Sequence, residues 1–245
     1  ISGNSAIIGA YAEDDAGGGA SGKAYIFNVT TGALAHTLDN PNAYSTSTDD
    51  NFGRSVAISG NLAIVGAPFE DDAGGAGGTS SGKAYIYNVT SGALVHTLDN
   101  PNAYNNSASD RFGYSVAISG NLAIVGAFGE ADAGGTSSGK AYIFNVTTGA
   151  LLHTLDNPTA YGTSAGDWFG YSVAISGNSA IVGARYEDDA AGSYSGLAYI
   201  HKVANNTTET NSINVFGNIH TPGNITFDGT ITLGNQYLDT VDFNA

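Results

Sequence analysis

The chain has 245 residues, 35 of them glycine, with no cysteine and no methionine, and it sets 22 acidic residues against seven lysines and arginines for a formal net charge of −15. That length fits one large β domain or two smaller ones. The charge argues against nucleic acid or anionic membrane as partners, since both require basic patches; the missing cysteines exclude a disulfide framework and thiolate metal sites; and neither a bilayer-spanning apolar run nor a signal peptide is present, so no membrane insertion is expected.

Ile1 enters in the middle of a unit that returns three times, aligning with Ile58, Ile118 and Ile175. The truncated first copy and the missing initiator methionine point to a true N-terminus upstream. The dipeptide Gly-Ala recurs at Gly9, Gly66, Gly126 and Gly183, spaced 57, 60 and 57 residues apart. A period of this length indicates one supersecondary unit stacked repeatedly. In the second copy, Ser55 to Ser59 is a first strand, and Gly60-Asn61 is a tight hairpin turn whose residues tolerate positive φ. Leu62 to Ala67 is a second strand, followed by a glycine-rich acidic loop to Gly82. Lys83 to Val89 is a third strand, Thr90-Ser91-Gly92 turns the chain, and Ala93 to Leu98 is a fourth. A loop from Asn100 to Asp110 leads to the next copy, which opens on Phe112-Gly113 as the others open on Phe52-Gly53 and Phe169-Gly170.

Four short antiparallel strands per unit make a meander the size of a propeller blade. The run Ser-Val-Ala-Ile-Ser alternates large against small and not apolar against charged, so both faces of each blade are expected to be covered. A β-solenoid is the rival, but its coils rarely need two tight hairpins per unit. The fold expected is all-β, a β-propeller of four-stranded antiparallel blades. Phe-Gly opening the first strand and Gly-Ala closing the second resemble the FG-GAP repeat, over residues 1 to about 203. Only copy two has the full Gly66-Ala67-Pro68; Tyr11, Phe128 and Arg185 take the proline position elsewhere. The resemblance implies the β-propeller of integrin α subunits and of many bacterial surface proteins.

In such a meander the 1–2 and 3–4 turns share one end of the sheet and are minimal here. The long 2–3 loops and 4–1 connections share the other, and they carry most of the acids: Glu13, Asp14, Asp15, Glu70, Asp71, Asp72, Glu130, Asp132, Glu187, Asp188 and Asp189 in the loops, with Asp49, Asp50, Asp110 and Asp167 in the connections. The length change around Gly74 to Thr79 falls on this face too. Tyr44, Tyr104, Tyr161 and Trp168 lie nearby, and with Asp50, Asp110 and Asp167 they form the candidate ligand-binding face, because elaborated loops on a repetitive scaffold are where binding resides.

Clustered loop carboxylates are candidate calcium ligands, calcium being a hard cation that takes six to eight oxygens. The calcium loops of the FG-GAP family lie between strands 1 and 2, where this chain has only Ser-Gly-Asn, so that site does not carry over. The alternative is a solvated loop whose charge is partly balanced by Lys23, Lys83 and Lys140, and no cofactor is required. His36, His96 and His153 recur on fourth strands of different blades, too far apart to share an ion, and are expected to be structural. Asp39, Asp99 and Asp156 precede Asn-Pro and are expected to form turns. Asn28-Val-Thr, Asn88-Val-Thr and Asn145-Val-Thr match a glycosylation acceptor, but turn and strand preference explains the threonine. No nucleophile–base pair stands out, which predicts a non-enzymatic protein. Trp168, Arg54, Arg111 and Arg185 break the repeat without forming a known constellation.

After Val203 a polar linker, residues 204–212, leads into a new period over 213–245, with Ile213, Ile219, Ile225 and Ile231 six residues apart. Hexads this short cannot bury their own isoleucine row and need neighbouring coils or chains, which makes these isoleucines candidates for oligomerisation. Gly223-Asn-Ile-Thr-Phe-Asp-Gly-Thr-Ile-Thr-Leu-Gly and Asp239-Thr-Val-Asp-Phe-Asn-Ala resemble shaft segments of tailed-phage fibres and structural proteins of marine phages, commonly homotrimers. The resemblance implies a virion fibre or appendage protein on the particle surface, contacting other virion proteins and a cell-surface receptor or glycan. The alternative is a bacterial cell-surface or secreted adhesin, and a further one a glycan-active propeller enzyme.

Overall fold

The computed structural model describes residues 1–16, 18–41, 47–71, 79–101, 108–132, 135–158, 164–188 and 194–203, all within one compact unit, Ile1–Asn206. The expected linker and hexad tail, with Ile213, Ile219, Ile225 and Ile231, lie outside the described residues. The described residues form fourteen strands and no helix. The first blade is β1 (Ser5–Ala10), β2 (Lys23–Asn28) and β3 (Leu34–Asp39). The second is β4 (Ser55–Ser59), β5 (Leu62–Ala67), β6 (Lys83–Asn88) and β7 (Leu94–Asp99). The third is β8 (Ser115–Ser119), β9 (Leu122–Ala127), β10 (Lys140–Asn145) and β11 (Leu151–Asp156). The fourth is β12 (Phe169–Ser176), β13 (Ser179–Ala184) and β14 (Leu197–Lys202). Each blade is an antiparallel meander in sequence order; two have four strands and the terminal two have three. This is a β-propeller-like stack, not a solenoid.

The core consists of layers between blades. Ala24, Ile26 and Leu38 of the first blade pack on Ala63, Val65, Tyr85 and Tyr87 of the second. Ile64, Ile86 and Leu98 of the second pack on Ala123, Val125, Tyr142 and Phe144 of the third, and the same layer recurs between the third and fourth. A middle strand therefore buries both faces; every residue of β9 is buried. Facing residues must pair large with small to fit two stacked sheets, which is the alternation seen in the sequence. Among the described residues, nothing comparable covers the outer faces of the terminal blades. Ile200 is 74% exposed where its equivalents Ile86 and Ile143 are at 0%, and Ile8 is 53% exposed where Val65 is at 0%. On the inner side β4, β8 and β12 follow one another, stitched by serines: Ser55 Oγ accepts the Val116 N–H (3.0 Å) and Ser115 Oγ accepts that of Val173 (2.9 Å).

The Phe-Gly and Gly-Ala motifs meet at each seam. Phe52, Phe112 and Phe169 are fully buried, with ring centroids 5.7, 5.8 and 5.7 Å from Tyr85, Tyr142 and Tyr199. The following glycine donates its N–H to the Gly-Ala glycine of its own blade, Gly53 to Gly66 O (3.0 Å) and Gly113 to Gly126 O (3.1 Å). That glycine in turn abuts the next blade: a Cβ on Gly66 would lie 1.9 Å from Gly113 O, and one on Gly9 would lie 1.8 Å from Gly53 O. Only hydrogen fits between the two backbones.

Candidate functional site

At one end of the stack the tight turns are tied together. Asn28 Oδ1 accepts the N–H groups of Thr30 and Thr31, both at 3.0 Å, as Asn88 and Asn145 do for their own turns. The threonine hydroxyl donates to the asparagine of the neighbouring 1–2 turn, Thr30 to Asn4, Thr90 to Asn61 and Thr147 to Asn121. The Asn-Val-Thr tripeptides are thus turn hardware. His36 and His96 clasp the adjacent blade, their Nε2 atoms 3.0 Å from Thr90 O and 3.1 Å from Thr147 O. His96→Ala is expected to remove about 1 kcal/mol of stability, the usual net worth of one such hydrogen bond, measurable as a lowered urea midpoint; an unchanged midpoint would show the clasp to be idle.

The opposite end is the long-loop face. Each 4–1 connection pairs by backbone with the 2–3 loop of the blade it leaves: Asn51 N to Ala20 O (3.2 Å), Arg111 N to Ser80 O (3.2 Å) and Trp168 N to Ser137 O (3.2 Å). The loop acids have distinct tasks. The first of each set turns inward. Glu70, Glu130 and Glu187 are at 0% exposure; Glu70 accepts from Tyr85 Oη (2.6 Å), and Glu130 binds Tyr142 Oη through both oxygens (2.8 and 2.6 Å). Glu13 likewise takes Tyr25 Oη at 2.7 Å through both oxygens. The second acid closes its loop, with Asp14, Asp71 and Asp188 each accepting a backbone N–H at 2.8 Å, from Ala20, Ser80 and Tyr194. The third reaches the following connection, Asp15 to Ser47 Oγ (3.5 Å) and Asp132 to Ser164 Oγ (3.2 Å). Among the described residues no three His, Cys, Asp or Glu side chains group as ligands of one metal ion. Asp72 and Asp189 lie outside the described residues.

Asp50, Asp110 and Asp167, expected on the ligand-binding face, are buried in the described structure at 4, 2 and 4% exposure. Asn40 Nδ2 donates both to Asp50 (2.9 Å) and to Glu70 (3.2 Å), and Asn100 does the same for Asp110 (2.8 Å) and Glu130 (3.3 Å). One amide group thus bolts two carboxylates of the next blade to the end of the previous one. Burial pushes Asp50 and Asp110 up to about 7 and Glu70 and Glu130 up to about 8; the Tyr and Asn hydrogen bonds pull the other way without prevailing. Burial, with the charge of Glu187 beside it, raises Asp167 to about 6. The expected balance of the acidic loops by lysine is mostly a different pairing. Lys23, Lys83 and Lys140 bind Asp39, Asp99 and Asp156, their register partners on the adjacent strand; Lys23 also stands 3.9 Å from Asp15. Asp39, Asp99 and Asp156 are therefore strand-end ion-pair partners, where the sequence reads them as turn formers.

The residues that break the repeat come together on this face. Each arginine sits between two aromatic rings: Arg54 between Tyr11 (5.1 Å to the ring centroid) and Tyr114 (4.6 Å), Arg111 between Phe69 (5.6 Å) and Phe128 (5.1 Å), Arg185 between Tyr171 (4.9 Å) and Tyr186 (5.1 Å). Trp168 ties the rows together, 4.9 Å from Phe128, 4.5 Å from Tyr186, and stacked on Tyr171 at 5.7 Å. The position before Phe-Gly is left-handed in every described copy, with φ of 55° at Asn51, 56° at Arg111 and 59° at Trp168. Asparagine tolerates this; for tryptophan it costs on the order of 1 kcal/mol. Beside Phe69 opens a hollow of ≈ 410 Å³ lined by Thr48, Asp49, Asn51, Asp71, Thr79 and Ser80. Tyr44, Tyr104 and Tyr161 lie outside the described residues.

Sequence reasoning names Trp168, Arg54, Arg111 and Arg185 singly and misses the cluster. Its signal is positional: the variable residues are those after Phe-Gly (Arg54, Tyr114, Tyr171), before it (Arg111, Trp168) and after Gly-Ala (Tyr11, Phe128, Arg185), and strand geometry brings these three positions to one end. No curated protein matches the chain. The model of the FG-GAP repeat matches residues 43–87, 102–144 and 159–201, more than half of the length. Those spans contain the three Phe-Gly/Gly-Ala seams described above, and the chain belongs to the FG-GAP repeat family.

Proposed function

We propose that the chain is a non-enzymatic adhesion module that engages a cell-surface receptor or glycan through the long-loop face of its FG-GAP propeller. The observation that carries this reading is the convergence of all three arginines and the single tryptophan on that face, while the opposite end is closed by tight turns. The reading extends to a virion fibre: the hexads of residues 213–245 resemble fibre shafts, trimerise the chain and connect it to other virion proteins, so that weak contacts multiply across copies. The role proposed needs no cofactor; among the described loop carboxylates, Asp14, Asp71, Glu70 and Glu130 accept hydrogen bonds from protein N–H and O–H groups.

Two measurements test the two parts. Light scattering of the full chain is expected to give a trimer, and deletion of residues 212–245 a monomer; a monomer with the tail intact overturns the fibre reading. Trp168→Ala is expected to weaken attachment of the labelled protein to cells that bind the unaltered chain by about tenfold, the scale of losing one aromatic anchor. Undiminished attachment overturns the assignment of the binding face.

A further inference from the structure

We propose that the arginine–aromatic cluster at Arg54, Tyr114, Tyr171 and Arg185 is the binding site for a saccharide bearing a single carboxylate, a uronic or sialic acid. The proposal rests on the adhesion reading and names its ligand class.

In a chain with net charge −15, cations are expected to pair with carboxylates, and three of the four lysines, Lys23, Lys83 and Lys140, do. None of the arginines does among the described residues; all three lie on rings instead. A ring face attracts a cation without neutralising it and leaves the guanidinium edge, with most of its five N–H donors, for an anion. Charge-assisted, bidentate pairing of that edge with a carboxylate is the strongest polar contact such a group makes.

Arg54 donates to Tyr114 Oη at 2.7 Å, the Tyr114 and Tyr171 phenols share one hydrogen bond at 3.3 Å, and Arg185 donates to Tyr171 Oη at 2.8 Å. With one of the two phenol protons spent on the bond between them, the other has no acceptor among the described residues. The site thus offers two guanidinium edges and a phenol hydrogen with no counter-anion, a donor surplus that an anion satisfies. The Tyr114 phenol registers the same field. Burial works to raise it, yet the hydrogen bonds of Tyr171 and Arg54 and the charges of Arg54 and Arg111 hold it below the ordinary tyrosine value.

Trp168 is half-buried, stacked on Tyr171 and edge-on to Tyr186, the two rings that flank Arg185, so an indole of the kind that packs on the C–H face of a pyranose stands beside the guanidinium group. A polyanionic chain is disfavoured, because the remaining surface of this protein is acidic and repels it beyond the few ångströms over which the arginines act. One carboxylate on a sugar ring matches both elements.

The test is a titration of the full chain with paired oligosaccharides, followed by saturation-transfer NMR: sialyllactose against lactose, and a glucuronic-acid-terminated disaccharide against its glucose-terminated counterpart. One acidic member is expected to bind at least about tenfold more tightly than its neutral partner, the value of one charge-assisted pair, and the two arms tell sialic from uronic acid. Arg185→Gln, at an exposed position, is expected to erase that preference with an unchanged melting temperature. Tyr171→Phe, which keeps the ring and removes the hydroxyl, is expected to reduce it. Equal binding of acidic and neutral sugars, or a preference that survives Arg185→Gln, overturns the proposal. So does failure of every sugar to bind while the chain still attaches to cells, an outcome that leaves the adhesion reading standing; loss of attachment itself would overturn that reading.

Discussion

Gly113→Ala is expected to abolish the folded propeller under conditions where Gly120→Ala melts only a few degrees below the unaltered chain. Both glycines have left-handed φ, +89° and +55°, so each substitution carries the backbone cost of a Cβ in that region, about 1 kcal/mol. The difference between them is space. A Cβ at Gly120 meets nothing within 4 Å, whereas one at Gly113 lies 2.2 Å from Lys83 O. That oxygen is backbone at the start of β6, the strand that buries Tyr85 and Ile86 at 0% exposure, and it cannot retreat without moving the second blade. Overlap of this depth belongs with the severest substitutions, beyond about 4 kcal/mol. For a unit of this size that corresponds to a fall of roughly 10 °C or more, against about 3 °C for Gly120→Ala. Gly66→Ala, whose Cβ would lie 1.9 Å from Gly113 O, should resemble Gly113→Ala although its φ is not left-handed, which isolates the seam from the backbone term. Similar melting of Gly66→Ala and Gly120→Ala would refute the account of the motif as an interblade contact.

The same comparison shows how much of the molecule the residues disclose in advance. Strand order and the two-ended layout are legible because each blade repeats with its turns intact: β4 is found at the expected Ser55–Ser59 and β5 at Leu62–Ala67, with β6 and β7 within one residue of their expected bounds. Legible in part is the burial of both faces: it holds for β5 and β9 of the inner blades, whereas β4, the Ser-Val-Ala-Ile-Ser strand whose size alternation suggests it, is only half-buried. The fate of the acids is not legible. In Glu70-Asp71 two neighbouring carboxylates look alike, yet Glu70, three residues past the end of β5, turns into the interblade layer while Asp71 caps the loop. The hint was the glutamate itself, retained in all four copies while the next residue changes to Ala131 in the third. Asn40, Asn100 and Asn157 look like mere turn neighbours of proline, because their partners lie 10 and 30 residues on and belong to the next blade. A cross-blade contact leaves no local pattern, and the arginine–aromatic cluster escapes reading for the same reason.

The buried carboxylates give the protein an unusual pH profile. Stability is expected to fall as pH rises from about 5 to about 8, the reverse of proteins whose carboxylates are stabilised as anions. The sign follows from the direction of the shifts. Asp50 and Asp110 stand at about 7, Glu70 and Glu130 at about 8 and Asp167 at about 6 in the folded chain, against roughly 4 for such groups unfolded. Between those values the folded state binds more protons than the unfolded one. The stabilisation is complete below about pH 4 and is lost progressively as pH passes through the folded values, levelling off above about 8. Glu70 illustrates the cause: Tyr85 and Asn40 engage only Oε2, and Oε1 is buried without a partner, a place for a neutral acid and not for a charge. General repulsion within a chain of charge −15 acts in the same direction, but salt screens it, whereas pairs inside the blade seams are screened far less. The melting temperature should therefore remain several degrees higher at about pH 5 than at about pH 8 even in high salt, about 5 °C for a domain of this size. Glu130→Gln separates the causes further. The amide keeps an acceptor for Tyr142 Oη and carries no charge beside Asp110, so the variant should gain stability at the alkaline end and flatten the slope. A melting temperature that rises with pH in this window, or a slope that Glu130→Gln leaves intact, would show that the seam carboxylates are ionised in the folded chain and that the Tyr and Asn donors outweigh the cost of burying them.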